Sequence, residues 1–181
     1  MATMPITIYG DKILRQKTKP IAAIDDNIIL IIKNMFDTMR NANGIGLAGN
    51  QVNLDKSLFV VDLSPVEGYE DLAPKVFINP EIIEYSDEYI SMEEGCLSLP
   101  NLRADVERPE AIRIKFLNAN EEEEIIEADE LYARVILPEY DHLIGKMIPD
   151  RVNEDIKKML SEELKLIKNR EVKVDYEITD K

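Results

Sequence analysis

The feature that most limits how this chain can fold is a proline in the interior of a predicted helix. Between about Asp129 and Leu143, apolar residues recur at intervals of three and four, and Gly145 supplies a helix stop. Pro138 lies well beyond the first helical turn, which is the part of a helix that tolerates proline. It lacks the N–H that would donate to the Arg134 carbonyl, and its ring clashes with that carbonyl. The sequence therefore predicts a cost of about 3 kcal/mol or a kink, with Leu137 displaced from helical geometry.

The same helix carries two polar residues on its apolar stripe. The side chains that fall on this core-facing stripe are Leu131, Val135, Pro138 or Glu139, and His142. A buried carboxylate without a partner is costly, so it usually has a pairing or a chemical role. Taken alone, an inward histidine is more often a hydrogen-bonded core residue than a metal ligand. His142 is the only histidine in the chain, so no other imidazole can join it.

Composition favours one domain and excludes several kinds of partner. The chain has 181 residues, of which 45% are hydrophobic, as expected for a single domain over residues 1–181. Its formal net charge of -14 argues against nucleic acid or an anionic membrane as the main partner, because both need clustered Lys and Arg. We find no signal peptide and no apolar run of about 20 residues, so we expect a cytoplasmic protein without a membrane span. The single cysteine, Cys96, excludes an intrachain disulfide.

The remaining elements are grouped by type, which predicts an α+β fold. A capped helical pattern runs from Asp25 to about Asn43, and a last helix is expected over about 153–168. Strands are predicted at 58–63, 76–78, 81–85, 111–116 and, after a turn at 118–120, at 124–128. The acidic run 121–124 is interpreted as a solvated turn. Because helices and strands do not alternate, we expect mixed or antiparallel sheets around the helix that carries Glu139 and His142.

Two further segments place glycine beside residues that can do chemistry. Residues 44–51 read Gly-Ile-Gly-Leu-Ala-Gly-Asn-Gln, a glycine-rich turn that follows a helix, which is the wrong context for a dinucleotide-binding fingerprint. Residues 94–98 read Glu-Gly-Cys-Leu-Ser, and Gly95 lets the backbone beside Cys96 approach another group closely. Taken alone, a single cysteine is more often a small core residue than a functional one.

Together and in this order, the three segments resemble the signatures of peptide deformylases. The first signature, Gly-x-Gly-x-Ala-x-x-Gln, matches in full at 44–51, and the second, Glu-Gly-Cys-Leu-Ser, matches in full at 94–98. The third, His-Glu-x-x-His, matches at Glu139 and His142 but has Pro138 at its first position. The resemblance extends over essentially the whole chain and implies the deformylase fold, with sheets packed around a central helix that bears the third signature.

The resemblance also implies a reaction and the residues that perform it. Members are metal-dependent hydrolases that remove the N-formyl group from the N-terminal methionine of newly made proteins. The implied cofactor is one divalent metal, Fe²⁺ first, with Zn²⁺, Ni²⁺ and Co²⁺ as alternatives. By position, the implied metal ligands are Cys96 and His142. The implied general base is Glu139, and the implied oxyanion donors are Gln51 and the backbone N–H of Leu97.

The resemblance further implies which residues line a substrate groove and which partners the protein has. The residues that would line the groove are Ile45, Gly46, Arg103 and Val135. The implied partners are the formyl-methionine N-termini of nascent polypeptides, with the ribosome as a further candidate. The last predicted helix mixes Lys with Glu and shows no basic face for ribosomal RNA.

Pro138 leaves three functional hypotheses open. Its side chain has no donor atom, so the implied ligand set lacks one member. Water could fill the gap, or Glu139 could, because Glu-x-x-His is itself a ligand pair on bundle helices. A glutamate bound to the metal is no longer free as a base, so either repair predicts weak or absent hydrolysis. The hypotheses are a hydrolase with reduced activity, an inactive deformylase-like protein that binds peptide N-termini, and a structural protein without a peptide site.

Overall fold

Helices and strands follow one another in groups, as an α+β fold requires. The structure is a computed structural model that describes residues 2–180; the terminal residues of the predicted 1–181 domain lie outside the described residues. The strands are β1 (Gly46–Ala48), β2 (Leu58–Val61), β3 (Lys75–Tyr85), β4 (Tyr89–Cys96), β5 (Leu99–Pro109), β6 (Ala111–Leu117) and β7 (Glu123–Asp129). The α-helices are α1 (Asp26–Asn41), α2 (Glu130–Leu143), α3 (Glu154–Met159) and α4 (Ser161–Asn169).

The strands of residues 2–180 form two antiparallel sheets. Five strands pair in the order β1-β2-β3-β6-β7, and β4 pairs with β5 in a separate two-stranded sheet. Every ladder between these strands is antiparallel, which confirms the predicted fold class. None of the helices in residues 2–180 is long and apolar enough to cross a bilayer.

The larger sheet is covered by a helix on each face. In β2, Leu58 and Val60 pack in the cluster that contains the buried face of α1. Phe59 and Val61 point the other way, into the cluster that contains the buried face of α2. A strand with both faces covered reads as a continuous apolar run, which is why 58–61 lacks alternation. The α2 helix therefore lies against the sheet, as the sequence predicted.

The α2 helix continues through its proline. The helix extends as one element from Glu130 to Leu143 and lacks only the hydrogen bond that Pro138 cannot donate, so the prediction that Leu137 leaves helical geometry is wrong. Leu137 is buried in the same cluster as Ile136 and Leu143, and this packing keeps the residue before the proline helical. Pro138 itself is only partly buried.

Helix ends agree with the sequence at α1 and differ after α2. The Asp25 side chain accepts from the N–H of Ile28 at 2.9 Å, the predicted cap. Gly145 has φ +74, the left-handed conformation expected just beyond a helix. The last predicted helix is instead two helices, because α3 ends at Met159 and Leu160 separates it from α4.

Three strand predictions are corrected. The two strands predicted at 76–78 and 81–85 are one strand, β3, whose register shifts between Ile78 and Glu81 absorb the intervening residues. Residues 46–48, predicted as a turn, form the short edge strand β1. Only the first two residues of the acidic run 121–124 precede the strand, because residues 123 and 124 belong to β7. There Glu124 pairs with Lys75 at 2.7 Å.

The β4–β5 hairpin, which the sequence did not predict, packs against the C-terminal part of the chain. Alternate residues of β5 are buried, and they share a cluster with Leu164 and Ile167 of α4. The chain beyond α4 returns to the N-terminal segment. There the Ile6 N–H donates to the Glu177 carbonyl at 2.8 Å, and the Thr179 N–H donates to the Ile6 carbonyl at 3.0 Å.

Candidate active site

The only cysteine and the only histidine of the chain meet at the junction of two elements. Cys96 is the last residue of β4, and His142 lies in the last turn of α2. The Cys96 Sγ lies 3.1 Å from the His142 Nε2. Burial raises the pKa of Cys96 to about 12 and lowers that of His142 to about 4. At neutral pH and without a metal, the pair is therefore a neutral thiol beside a neutral imidazole.

Glu139 lies one helical turn before His142 and is also buried. A Cβ built on Gly46 would lie 2.6 Å from the Glu139 Oε1, so the glycine allows the carboxyl group to rest against strand β1. The other oxygen, Oε2, is buried without a hydrogen-bond partner among the described residues. Burial, followed by the negative charge of Glu94, raises the pKa of Glu139 to about 8. A carboxyl group in this range can both release and accept a proton near neutral pH.

Gln51 is held with its amide nitrogen toward the cysteine. Its Oε1 accepts from the Ala48 N–H at 2.7 Å, which directs the amide NH₂ away from β1. The Nε2 lies 3.4 Å from the Cys96 Sγ and 3.2 Å from the Ser98 Oγ. The preceding residue, Asn50, donates to the His142 carbonyl at 2.6 Å. The segment after β1 thus contacts both the β4 end and the α2 end of the site.

Residues 97–98, which we call the Leu97 turn, connect β4 to β5 beside Cys96. The Leu97 carbonyl accepts from the Tyr176 hydroxyl at 2.7 Å, and the Ser98 carbonyl accepts from the Tyr9 N–H at 2.9 Å. A Cβ built on Gly44 would lie 2.8 Å from the Leu97 Cδ1, so this glycine makes room for the leucine side chain. Sequence reasoning missed Tyr176, which belongs to no motif.

Beneath the site, a buried ionic network joins the β4–β5 sheet to α2. Arg108 donates to both oxygens of Glu94 at 2.6 and 2.9 Å, and to Asp141 at 2.8 Å. Arg134 donates to the Glu94 Oε1 at 2.7 Å, and Arg151 donates to Asp141 at 2.9 Å. Burial alone would raise the pKa of Asp141, but the hydrogen bond from Arg151 and the charge of Arg108 hold that pKa below its usual value.

This network acts on the predicted ligands through their neighbours. Glu94 precedes Cys96 by two residues, and Asp141 immediately precedes His142. Because Arg108 binds both carboxylates, it fixes the end of β4 relative to the last turn of α2. Sequence reasoning missed all three arginines, Arg108, Arg134 and Arg151, although the acidic residues in and beside the motifs were the available signal.

An open groove of about 550 Å³ leads to this cluster. Cys96, Leu97 and the largely buried Glu139 line the groove, whereas Gln51 and His142 lie behind its surface. Four residues that were predicted to bind substrate lie on the wall of this groove, and their role in binding stays a prediction: Ile45, Gly46, Arg103 and Val135. The wall also includes Pro138 and residues 173–176 of the C-terminal segment, which sequence reasoning did not include.

The site offers two metal-ligating side chains where three are expected. Catalytic zinc-type sites have three protein ligands and one open position. Within residues 2–180, no group of three or more His, Cys, Asp or Glu side chains is placed to hold a metal ion. Pro138 stands on the groove wall and has no donor atom, and the buried Nδ1 of His142 has no partner among the described residues to orient the ring. The side chains present therefore do not complete the ligand set of such a site.

Comparison with known proteins identifies the family. Residues 3–158 match the family of polypeptide deformylases. The chain belongs to the polypeptide deformylase family. Family membership confirms the predicted resemblance and supports the predicted function, removal of the N-formyl group from the N-terminal methionine of newly made proteins. Deformylases of this family are metal-dependent.

Similar deformylases match over nearly their whole length. The peptide deformylase of Prosthecochloris aestuarii is 44% identical over 177 residues, which cover 98% of this chain and 95% of the relative. That of Chlorobium phaeobacteroides strain BS1 is 45% identical over 175 residues, 97% of this chain and 94% of the relative.

Solved deformylase structures share the fold. Peptide deformylase 1B of Arabidopsis thaliana, in complex with an inhibitor, superposes with a TM-score of 0.85 at 36% identity, covering 93% of this chain and 92% of that chain. The Thermotoga maritima deformylase superposes with a TM-score of 0.79 at 37% identity, covering 84% of this chain and 99% of that one. The individual roles predicted for Cys96, His142, Glu139, Gln51 and Leu97 stay predictions.

Proposed function

We propose that this deformylase-family chain binds formyl-methionine N-termini in its groove and hydrolyses them slowly, because Cys96 and His142 alone hold its metal. The observation that carries this proposal is Pro138, a groove-lining residue without a donor atom at the place of the third ligand. The cation that fits the proposal best is Fe²⁺, with Zn²⁺, Ni²⁺ and Co²⁺ as alternatives. Its place of action would be the cytoplasm, on nascent chains, and contact with the ribosome stays a prediction.

Two groups near Cys96 are suited to polarise a substrate carbonyl. Gln51 presents its amide nitrogen beside Cys96, behind the surface of the groove, and the Leu97 turn lies next to the same sulfur. Two N–H donors aimed at a developing oxyanion are each worth roughly 10²–10³ in rate. Arg103 and Val135 also line the groove, and we propose that they contact the peptide beyond its first residue.

Glu139 is suited to move the proton in this reaction. Its carboxyl group faces the groove beside Gly46, and its raised pKa of about 8 makes it a competent acceptor once ionised. We propose that Glu139 takes a proton from the attacking water and delivers it to the leaving amine. A metal, when bound, would supply charge stabilisation for the same step.

The missing ligand is expected to lower metal affinity strongly. Removing a group that only supports a ligand costs 10–100-fold in affinity, so removal of a ligand itself is expected to cost more than about 100-fold. If the site holds no metal at cellular metal concentrations, the second hypothesis applies, in which the chain is an inactive deformylase-like protein that binds peptide N-termini. The two-donor site is the observation that favours this second candidate.

The test compares the native chain with Pro138→His under anaerobic conditions with added Fe²⁺. The measured quantities are hydrolysis of a formyl-Met-Ala-Ser peptide and metal content after dialysis. We expect Pro138→His to retain more metal and to hydrolyse at least about 100-fold faster. The matched control is Pro65→His, which adds an imidazole at an exposed position away from the groove. Equal metal content in the native chain and Pro138→His would refute the ligand argument, and no turnover in the native chain would favour the binding protein.

A further inference from the structure

The C-terminal segment contacts the groove at one defined point. Residues 173–176 line the groove wall, and the Tyr176 hydroxyl donates to the Leu97 carbonyl at 2.7 Å. The Tyr176 side chain is half-buried, so water competes only partly for this hydrogen bond. A residue 79 positions away in sequence thus reaches the backbone beside Cys96.

The segment is tethered on both sides of Tyr176. Before it, the Asn101 side chain donates to the Lys173 carbonyl at 3.3 Å, and Arg170 pairs with Asp11 at 2.5 Å. After it, the Glu177 carbonyl accepts from the Ile6 N–H at 2.8 Å. These contacts fix the backbone on either side of the tyrosine, so its hydroxyl is held in position before any ligand binds.

The Leu97 turn depends on such outside contacts. Within the turn, the Leu97 side chain rests against Gly44, and the Ser98 carbonyl accepts a hydrogen bond from the Tyr9 N–H. The Leu97 carbonyl has its hydrogen bond from Tyr176. The Leu97 carbonyl and N–H belong to the two peptide units on either side of the Leu97 Cα, so a hydrogen bond that holds the carbonyl fixes one end of this residue and narrows the orientations open to its N–H.

We propose that Tyr176 is a positioning residue, which holds the Leu97 turn so that the Leu97 N–H meets the substrate carbonyl. This inference rests on the proposed function, in which that N–H stabilises the oxyanion. A tether that only fixed the chain terminus would change stability and leave the turnover of folded protein unaltered. A positioning role acts on kcat, because an oxyanion donor contributes mostly in the transition state.

The experiment uses Tyr176→Phe, which removes one oxygen and keeps the ring. Tyr132→Phe is the matched control, because the buried Tyr132 hydroxyl has no hydrogen-bond partner among the described residues. The first readout is the backbone amide of Leu97 in the full-length, metal-free chain, followed by nuclear magnetic resonance and hydrogen exchange. We expect Tyr176→Phe to move the Leu97 resonance and to speed its exchange about fivefold, and Tyr132→Phe to do neither.

The second readout is steady-state kinetics in the Pro138→His background with a formyl-Met-Ala-Ser peptide. Tyr176→Phe is expected to lower kcat about fivefold and to leave KM within about twofold, while Tyr132→Phe changes neither. A Leu97 amide that behaves alike in the two variants overturns the proposal, and so does a change confined to KM. If Pro138→His itself does not hydrolyse the peptide, the proposed function fails, and the amide measurement alone decides the role of Tyr176.

Discussion

Replacing Pro138 with alanine should stabilise this protein, although the substitution adds no contact to the core. Proline in a helix interior is about 3 kcal/mol less favourable than alanine, because it removes a backbone hydrogen bond and clashes with the preceding turn. Here α2 is continuous, so the Arg134 carbonyl is already placed to accept from a new N–H at position 138. Pro138 is only partly buried and lines the groove, so the smaller side chain leaves no closed cavity.

Part of that gain is offset by the unfolded chain, which proline restricts. This restriction is worth about 0.4–1 kcal/mol, so we expect Pro138→Ala to raise the free energy of unfolding by about 2 kcal/mol. For a chain of this size, the corresponding rise in Tm is about 4–8 °C. Pro138→His should show a similar gain without metal, and a further gain that depends on metal only if the imidazole is a ligand.

The assay is urea unfolding of the metal-free protein in the presence of a chelator, followed by circular dichroism. Pro65→Ala is the control, because Pro65 lies exposed outside the helices. A Pro138→Ala chain no more stable than the native chain would refute the reasoning, since it would show that α2 accommodates the proline without cost. A gain as large in Pro65→Ala would show that the effect is not specific to the helix.

Three further predictions address the residues around the groove. Burial raises the pKa of Glu139 from 4.5 to about 8, so between these pH values folding takes up a proton and the free energy of unfolding falls as the pH rises. Glu139→Gln should reduce that fall in chelator-treated protein, and it should abolish hydrolysis in the Pro138→His background. Arg108→Met leaves the buried carboxylates of Glu94 and Asp141 each short of one partner and should lower the free energy of unfolding, measured in urea, by about 3 kcal/mol. The control Arg113→Met, at a partly exposed ion pair on β6, should change this free energy by less than about 1 kcal/mol. Gly46→Ala places a Cβ 2.6 Å from the Glu139 Oε1, so the carboxyl group must shift, and kcat in the Pro138→His background should fall at least about tenfold. An unchanged kcat would show that the position of the Glu139 carboxyl group does not affect the rate of hydrolysis.

The sequence predicted what depends on local pattern. The cap at Asp25, the length of α2 and the stop at Gly145 follow from side-chain spacing and backbone preference within a few residues. The burial of Glu139 on the inward face of α2 followed from the same helical spacing, and a carboxylate on an apolar stripe indicates a pairing or a chemical role.

What the sequence could not predict depends on distant partners. Strand β4 carries acidic and exposed residues in place of a clean alternation, and its pairing with β5 is visible only when the two are together. The buried arginines of the ionic network look like surface residues until Glu94 and Asp141 are placed beside them. Tyr176 lies in a C-terminal segment without any periodic pattern.

The continuity of α2 through Pro138 has a similar origin and bears directly on function. The prediction that Leu137 leaves helical geometry considered only the helix, whereas the native helix is held by Leu137 in the core and by Asp141 in the ionic network. These contacts also place His142 beside Cys96. The lack of a metal-ligating atom at position 138 is therefore a local change, and the contacts that position the other site residues are kept. Side chains held by such contacts need little reorganisation to bind a metal, so a single imidazole at position 138 is expected to restore binding. If Pro138→His remains metal-free while it folds with the stability predicted above, the two remaining donors are not placed as ligands, and the groove should be regarded as a peptide-binding site only.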